Sequence, residues 1–150
     1  MRASRACVRS RTGGHPVTAD ATRVAITRDG DIVEARQKGR ELAQQIGFTG
    51  SDLTLIATAI SEVARNIVVY AGHGDIDLSI AEKNGKRGIL VVARDEGPGI
   101  PDIERAMRDG YSTGNSLGLG LPGSRRLMDD FEIDSAVGRG TTVIMRKWKA

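Results

Sequence analysis

An Asn84-Gly85 turn between two apolar segments is the feature that most constrains the fold of this chain. Both turn residues tolerate the positive φ angles of a two-residue hairpin, so residues 75–81 and 88–93 are predicted to pair as strands. Apolar residues at helical spacing before the hairpin predict two helices, the second running from Asp52 to about Tyr70. Because strands and helices do not alternate strictly, we expect an α/β two-layer sandwich, with a mixed β-sheet covered by helices on one face.

The segments outside the hairpin complete one predicted domain. A β-branched segment at 24–27 predicts an opening edge strand, and strands near 132–137 and 141–148 are linked by Gly138-Arg139-Gly140. A third long helix is predicted to begin near Gly118. Residues 1–21 are expected to be a disordered N-terminal extension, and residues 22–150 a single domain.

Charge and composition exclude several classes of function. Residues 1–20 hold four arginines and one aspartate, so the formal net charge of +3 arises there and the rest of the chain is balanced. This distribution gives no case for nucleic-acid binding. Cys7 is the only cysteine, which excludes an intramolecular disulfide and a cysteine metal cluster. No apolar run approaches membrane-spanning length, so a soluble, cytoplasmic protein without a membrane segment is expected.

The second helix carries a carboxylate and an amide one turn apart. Glu62 and Asn66 are at i and i+4, on the side opposite an apolar stripe that is predicted to face the sheet. Asn66 offers a neutral oxygen to Mg²⁺, and Glu62 is a candidate general base or a group that orients metal-bound water. The helix alone, however, favours a solvated Glu62 and an Asn66 without a special role.

Two glycine-rich turns follow that helix. Asp95, at the end of an apolar strand, can accept a hydrogen bond from the exocyclic amine of adenine, and Gly97 and Gly99 allow a base to lie against the backbone. The second turn, 118–121, opens a helix whose free N–H groups can bind phosphates. It is neither a Walker loop nor a dinucleotide fingerprint. Each turn alone is equally typical of a surface loop.

The order of these motifs resembles a known superfamily. Glu62-xxx-Asn66, Asp95-x-Gly97-x-Gly99, Gly118-x-Gly120 and Gly140-Thr141 follow the order of the N, G1, G2 and G3 boxes of the Bergerat-fold (GHKL, histidine-kinase-like) ATPases. From about residue 22 onward the chain is similar to the RsbT-type serine/threonine kinases of bacterial stressosomes. The similar segments include residues 31–37, 60–66, 95–102 and 118–130 and the closing Lys147-Trp148.

The resemblance implies a role for each motif. Asn66 would hold Mg²⁺, Glu62 would be the catalytic carboxylate, and Asp95 with Thr141 would contact the adenine of ATP. Residues 101–117 would form a lid over the nucleotide. The other implied nucleotide contacts are backbone positions, namely Gly97, Gly99, Gly118, Leu119 and Gly120.

The resemblance also implies a function. Such kinases use Mg-ATP to phosphorylate serine or threonine on STAS-domain partners that otherwise sequester them, and once released they activate a PP2C-type phosphatase. The alternative is an ATP-controlled binding switch, or an anti-sigma factor, whose main role is docking. A histidine kinase is a weaker candidate, because a domain that begins near residue 22 leaves no room for a phosphoacceptor helix pair.

Overall fold

The computed structural model describes residues 21–100, 107 and 120–149, in which helices pack against one face of a five-stranded sheet. The predicted α/β two-layer sandwich is confirmed. In chain order the elements are β1 (Thr22–Ile26), α1 (Asp29–Ile46), α2 (Ser51–Asn66), a π-helical turn (Ile67–Ala71), β2 (Gly74–Lys83), β3 (Lys86–Asp95), α3 (Gly120–Leu127), β4 (Asp130–Ala136) and β5 (Gly140–Trp148).

The described strands pair antiparallel throughout, in the order β1-β2-β3-β5-β4, where a mixed sheet was predicted. Two helices connect β1 to β2 and return the chain to the end where β1 stops, so Ile26 pairs with Gly74. A single crossover helix would instead have made these strands parallel. β3 and β4 do run in the same direction, but β5 lies between them.

The core lies between the helices and one face of the sheet. Alternate residues of a strand point to opposite faces, and Ile76, Leu78 and Ile80 of β2 all point toward the helices and are buried. The apolar stripe predicted for α2 is buried as well, and it comprises Leu53, Ile56, Ala57, Ile60, Ala64 and Ile67. The hairpin turn is also as predicted, with positive φ at both Asn84 and Gly85.

Burial in the core accounts for the apolar character of the helical segment Ser51–Ala71. This segment has 21 residues, and an 18-residue window within it has a mean hydropathy of 1.3, so by length and composition it could cross a membrane, which differs from the expectation that no segment reaches that length. Half of that window is buried inside the domain, where α2 packs between α1 and α3. A core helix passes the same test of length and composition, so burial in the domain accounts for its hydropathy.

Several predicted features lie outside the described residues. They are the N-terminal extension, Gly118, Leu119 and the lid at 101–117 apart from Met107, which is partly buried against the core.

Two glycines of α1 provide a test of the helix packing. A Cβ on Gly39 would collide with Cδ1 of the fully buried Ile60, whereas a Cβ on Gly30 would meet nothing closer than 3.9 Å. Alanine favours a helix over glycine by up to about 1 kcal/mol, but overpacking a core costs about 1–3 kcal/mol. We expect Gly30→Ala to raise, and Gly39→Ala to lower, the free energy of unfolding measured in urea. An equal gain from both would contradict the close contact of α1 with α2.

Candidate functional site at the Asp95 end of the sheet

Four residues form a row across one end of the sheet. Gly74 of β2 pairs with Asp95 of β3, Asp95 pairs with Thr141 of β5, and Thr141 pairs with Ser135 of β4. The neighbouring row on the same face of the sheet, two residues away in each strand, consists of buried core residues such as Ala93. The row therefore lies on the helix-covered face and replaces apolar side chains with polar ones at the edge of the core.

The end of α2 meets this row. The π-helical turn begins directly after Asn66, and a Cβ on Gly74 would lie 3.0 Å from Cγ2 of Ile67. A Cβ on Gly97 would lie 2.6 Å from Cβ of Ala71, at the other end of the turn. Single π turns occur frequently at functional sites. Here the turn brings the helix carrying Glu62 and Asn66 against the glycine loop that follows Asp95.

The same glycine loop, residues 96–100, also contacts the β4–β5 hairpin. Gly99 has a φ of +79°, and a Cβ there would collide with the carbonyl oxygen of Ala136. The N–H of Gly138 donates to the carbonyl oxygen of Pro98 at 2.9 Å. A Cβ on Gly140 would in turn collide with the carbonyl oxygen of Asp95. Only glycine permits these approaches, which explains the spacing of the glycines in both motifs.

Asp95 is a partly buried carboxylate with few partners. Its Oδ1 accepts a hydrogen bond of 2.9 Å from the N–H of Gly97. Burial raises the pKa of Asp95 above its ordinary value, while the backbone N–H groups of Gly97 and Thr141 and the nearby His73 act in the opposite direction. The hydrogen bonds to Asp95 thus offset only part of the cost of burying its charge.

Sequence reasoning missed Ser135, which is 2% exposed. Its hydroxyl accepts a hydrogen bond from the N–H of Ile100 (2.8 Å), donates to the carbonyl oxygen of Gly140 (3.1 Å) and lies 2.9 Å from the hydroxyl of Thr141. The available signal was its position in β4, where it follows Phe131 and Ile133 on the core-facing side. A polar residue at a core position requires partners.

The predicted carboxylate of α2 lies on the side of the helix that faces α3. The hydroxyl of Ser124 in α3 donates to the carbonyl oxygen of Ala59 at 3.3 Å, and Glu62, one turn later, is 7% exposed. Asn66 is partly buried and Val69 is 58% exposed, so the side of the helix that carries Glu62 and Asn66 runs from the interior to the surface. Gly120 is the first residue of α3, which packs against α2.

Asn66 is the predicted metal ligand, and its chemistry is compatible with Mg²⁺. Among residues 21–100, 107 and 120–149, no three His, Cys, Asp or Glu side chains are grouped to hold a metal. Asn66 offers one neutral amide oxygen, and Mg²⁺ commonly binds one or two protein ligands together with nucleotide phosphates and water.

Comparison with known proteins identifies the family. Residues 17–147 match the sequence model of the histidine kinase-like ATPase domain. The chain belongs to the histidine kinase-like ATPase family. Within this family it is 50% identical over 129 residues to the serine/threonine-protein kinase RsbT of Bacillus subtilis (strain 168), which covers 86% of this chain and 97% of that protein. It is also 33% identical over 110 residues to the anti-sigma F factor of Geobacillus stearothermophilus, which covers 69% of this chain and 74% of the relative.

A solved structure supports the fold of this histidine kinase-like domain. The mycobacterial sensor histidine kinase MprB superposes with a TM-score of 0.52 at 20% identity, over 85% of this chain and 96% of that one. The predicted resemblance to GHKL ATPases and RsbT-type kinases is confirmed, and the chain is a homologue of a protein serine/threonine kinase. The roles of individual residues stay predictions.

The raised pKa of Asp95 predicts how the stability of the protein depends on pH. Because the pKa of Asp95 is raised in the folded protein, its ionisation costs stability. The free energy of unfolding therefore falls as pH rises from about 3.9, the pKa in the unfolded chain, through the pKa in the folded protein. Asp95→Asn removes that charge, so its midpoint of thermal unfolding is expected to exceed that of the unchanged protein at pH 7. This advantage fades toward pH 3, where both forms are neutral.

Asp77 is the matched control, because it lies on the opposite face of the sheet in ion pairs with Arg23 (2.8 Å) and Arg94 (2.9 Å). Hydrogen bonds from Arg23 and Arg94 lower the pKa of Asp77, so its charge stabilises the fold above the unfolded pKa and the stabilisation is lost as pH falls. Asp77→Asn should therefore destabilise the protein at pH 7. The same sign for both variants would contradict the assigned environments.

Proposed function

We propose that this histidine kinase-like ATPase is an ATP-dependent protein serine/threonine kinase that phosphorylates STAS-domain partner proteins. In the same proposal it acts in the cytoplasm as a switch that activates a PP2C-type phosphatase in bacterial stress or sigma-factor signalling. The similarity to RsbT over 97% of that relative supports the kinase activity. The names of both relatives support a regulatory role with protein partners.

Adenine recognition is proposed at the Asp95 end of the sheet. The single observation that carries it is the cross-strand pair Asp95–Thr141, enclosed by backbone at Gly97, Gly99 and Gly140. Asp95 offers an acceptor for the exocyclic amine of adenine. A carboxylate whose desolvation is incompletely compensated gains more from a ligand N–H than an exposed one does.

Phosphate binding is proposed between α2 and α3. Bound Mg-ATP supplies the transferable phosphoryl group and the divalent charge that neutralises it. Asn66 would provide an amide oxygen to the metal, and the N–H of Gly120 at the start of α3 would bind a phosphate, together with the N–H groups of Gly118 and Leu119, which precede it in the sequence. Glu62, which is 7% exposed on the same helix as Asn66, would accept the proton of the attacking hydroxyl.

A docking role is the second candidate. The similarity to anti-sigma F factors favours it, because their name assigns them to the control of a sigma factor. In this alternative the nucleotide holds a binding-competent conformation, and transfer of the phosphoryl group is secondary. The two proposals therefore differ in whether signalling requires a catalytic carboxylate.

Variants of α2 test the kinase proposal. We expect Asn66→Ala to abolish transfer of labelled phosphate from ATP to a STAS-domain protein encoded beside this gene, because the metal loses its amide ligand. We expect Glu62→Gln to lower the transfer rate by a factor of about 10²–10⁴, the usual contribution of a general base, while ATP binding is retained. Glu82→Gln is the control, since Glu82 is exposed at the opposite end of the sheet beside Arg87.

The same variants separate the two candidates. Loss of transfer with intact partner binding, together with loss of signalling in cells, supports the kinase. Signalling that persists in Glu62→Gln without transfer supports the docking role. Unchanged transfer by Asn66→Ala would contradict the proposed metal site.

A further inference from the structure

The hydroxyl groups of Ser135 and Thr141 form a pair whose proton positions can be deduced. Both residues are buried, at 2% and 5% exposure, and they lie opposite each other in β4 and β5. Their oxygens are 2.9 Å apart. Each hydroxyl has one proton to donate and two lone pairs to accept, so the partners of Ser135 restrict the direction of the bond between them.

The partners of Ser135 use its only proton. The carbonyl oxygen of Gly140, 3.1 Å away, can only accept, and the N–H of Ile100, 2.8 Å away, can only donate. When Ser135 donates to Gly140, its second lone pair is left for the proton of Thr141. This arrangement satisfies all three contacts of Ser135, whereas the reverse direction leaves the buried carbonyl contact without a proton.

The consequence is that Thr141 retains only lone pairs for a ligand. Asp95, its cross-strand partner, is an acceptor as well when ionised. Two neighbouring acceptors can each bind one N–H of an amino group. They cannot hydrogen-bond to a carbonyl oxygen at the same position, because that oxygen is also an acceptor. A site that presents acceptors to a carbonyl leaves buried groups unpaired, which is the physical basis of strong discrimination.

We infer that Ser135 is a positioning residue that fixes the Thr141 hydroxyl as an acceptor and thereby makes the site select 6-amino over 6-oxo purine nucleotides. The inference deepens the proposed function and rests on nucleotide binding at the Asp95 end of the sheet. Ser135 acts through Thr141 and needs no contact with the base. The geometry also ties this selectivity to the glycine loop, because the Ile100 N–H occupies the other lone pair of Ser135.

The test is the ratio of dissociation constants for ATP and inosine 5′-triphosphate, measured by calorimetry with magnesium on the full chain. The unchanged protein should prefer ATP. In Ser135→Ala the Thr141 proton is free to turn toward a 6-oxo group, so this preference should fall about fivefold to tenfold, the equivalent of one hydrogen bond. The ratio is internally controlled, because a general loss of stability affects both nucleotides alike.

A double-mutant cycle separates positioning from a structural role. Thr141→Val should reduce the preference similarly, and adding Ser135→Ala to it should change the ratio no further, because Ser135 acts through the Thr141 hydroxyl. Ser79→Ala is the control, since Ser79 is also a buried serine but lies in β2 on the opposite face of the sheet. It should leave the ratio unchanged.

The outcomes distinguish the inference from the function on which it rests. An unchanged ratio in Ser135→Ala, with ATP binding intact, would overturn the inference and leave the proposed function standing. A preference that rises in Ser135→Ala, or effects of the two substitutions that add, would overturn it as well. Failure of the unchanged protein to bind ATP would overturn the proposed function and the inference together.

Discussion

Close backbone contact around Asp95 is the constraint on which the rest of the site depends. The loop that follows Asp95 lies against Ala71 at the end of the helical segment and against Ala136 at the end of β4, with glycine at both contacts. Interiors packed at this density transmit small displacements to their neighbours. A side chain at Gly97 or Gly99 would therefore displace the helix end or the hairpin, and the two halves of the proposed nucleotide site would separate.

α2 joins the stability of the domain to its proposed chemistry. Its apolar stripe is buried in the core, and its other side carries Glu62 toward α3. The π-helical turn after Asn66 ends the helix at the row formed by Gly74 and Asp95. One helical element thus positions the carboxylate and the amide relative to the proposed adenine end of the site, as the proposed phosphoryl transfer would require.

Local pattern was sufficient to predict the layers of the fold and the candidate residues. The turn at Asn84-Gly85 and the buried stripe of α2 each follow a short-range rule of backbone geometry, whereas the glycines at 97, 99 and 140 are required by contacts with residues distant in sequence. Strand order could not be predicted in this way, because it depends on which strands meet after the chain crosses the sheet. The mixed sheet was expected because strands and helices do not alternate strictly along the sequence, whereas the described strands pair antiparallel.

The details of the site were predictable only in part. Asp95 and Thr141 were identified from separate motifs, but their direct pairing depends on the register of β3 with β5. Ser135 was missed because its role depends on contacts with Ile100 and Gly140, which are distant from one another in sequence. The π-helical turn was missed because residues 67–71 continue the apolar helical pattern without interruption.

Amide hydrogen exchange with and without Mg-ATP tests most directly whether the nucleotide binds at the Asp95 end of the sheet. Protection should increase at residues 95–100 and at Gly140 and Thr141, since ligand binding suppresses local opening of the backbone that it contacts. The Asn84-Gly85 hairpin, at the opposite end of β2 and β3, should exchange at an unchanged rate. Unchanged exchange at residues 95–100, or protection confined to the hairpin end, would contradict this account.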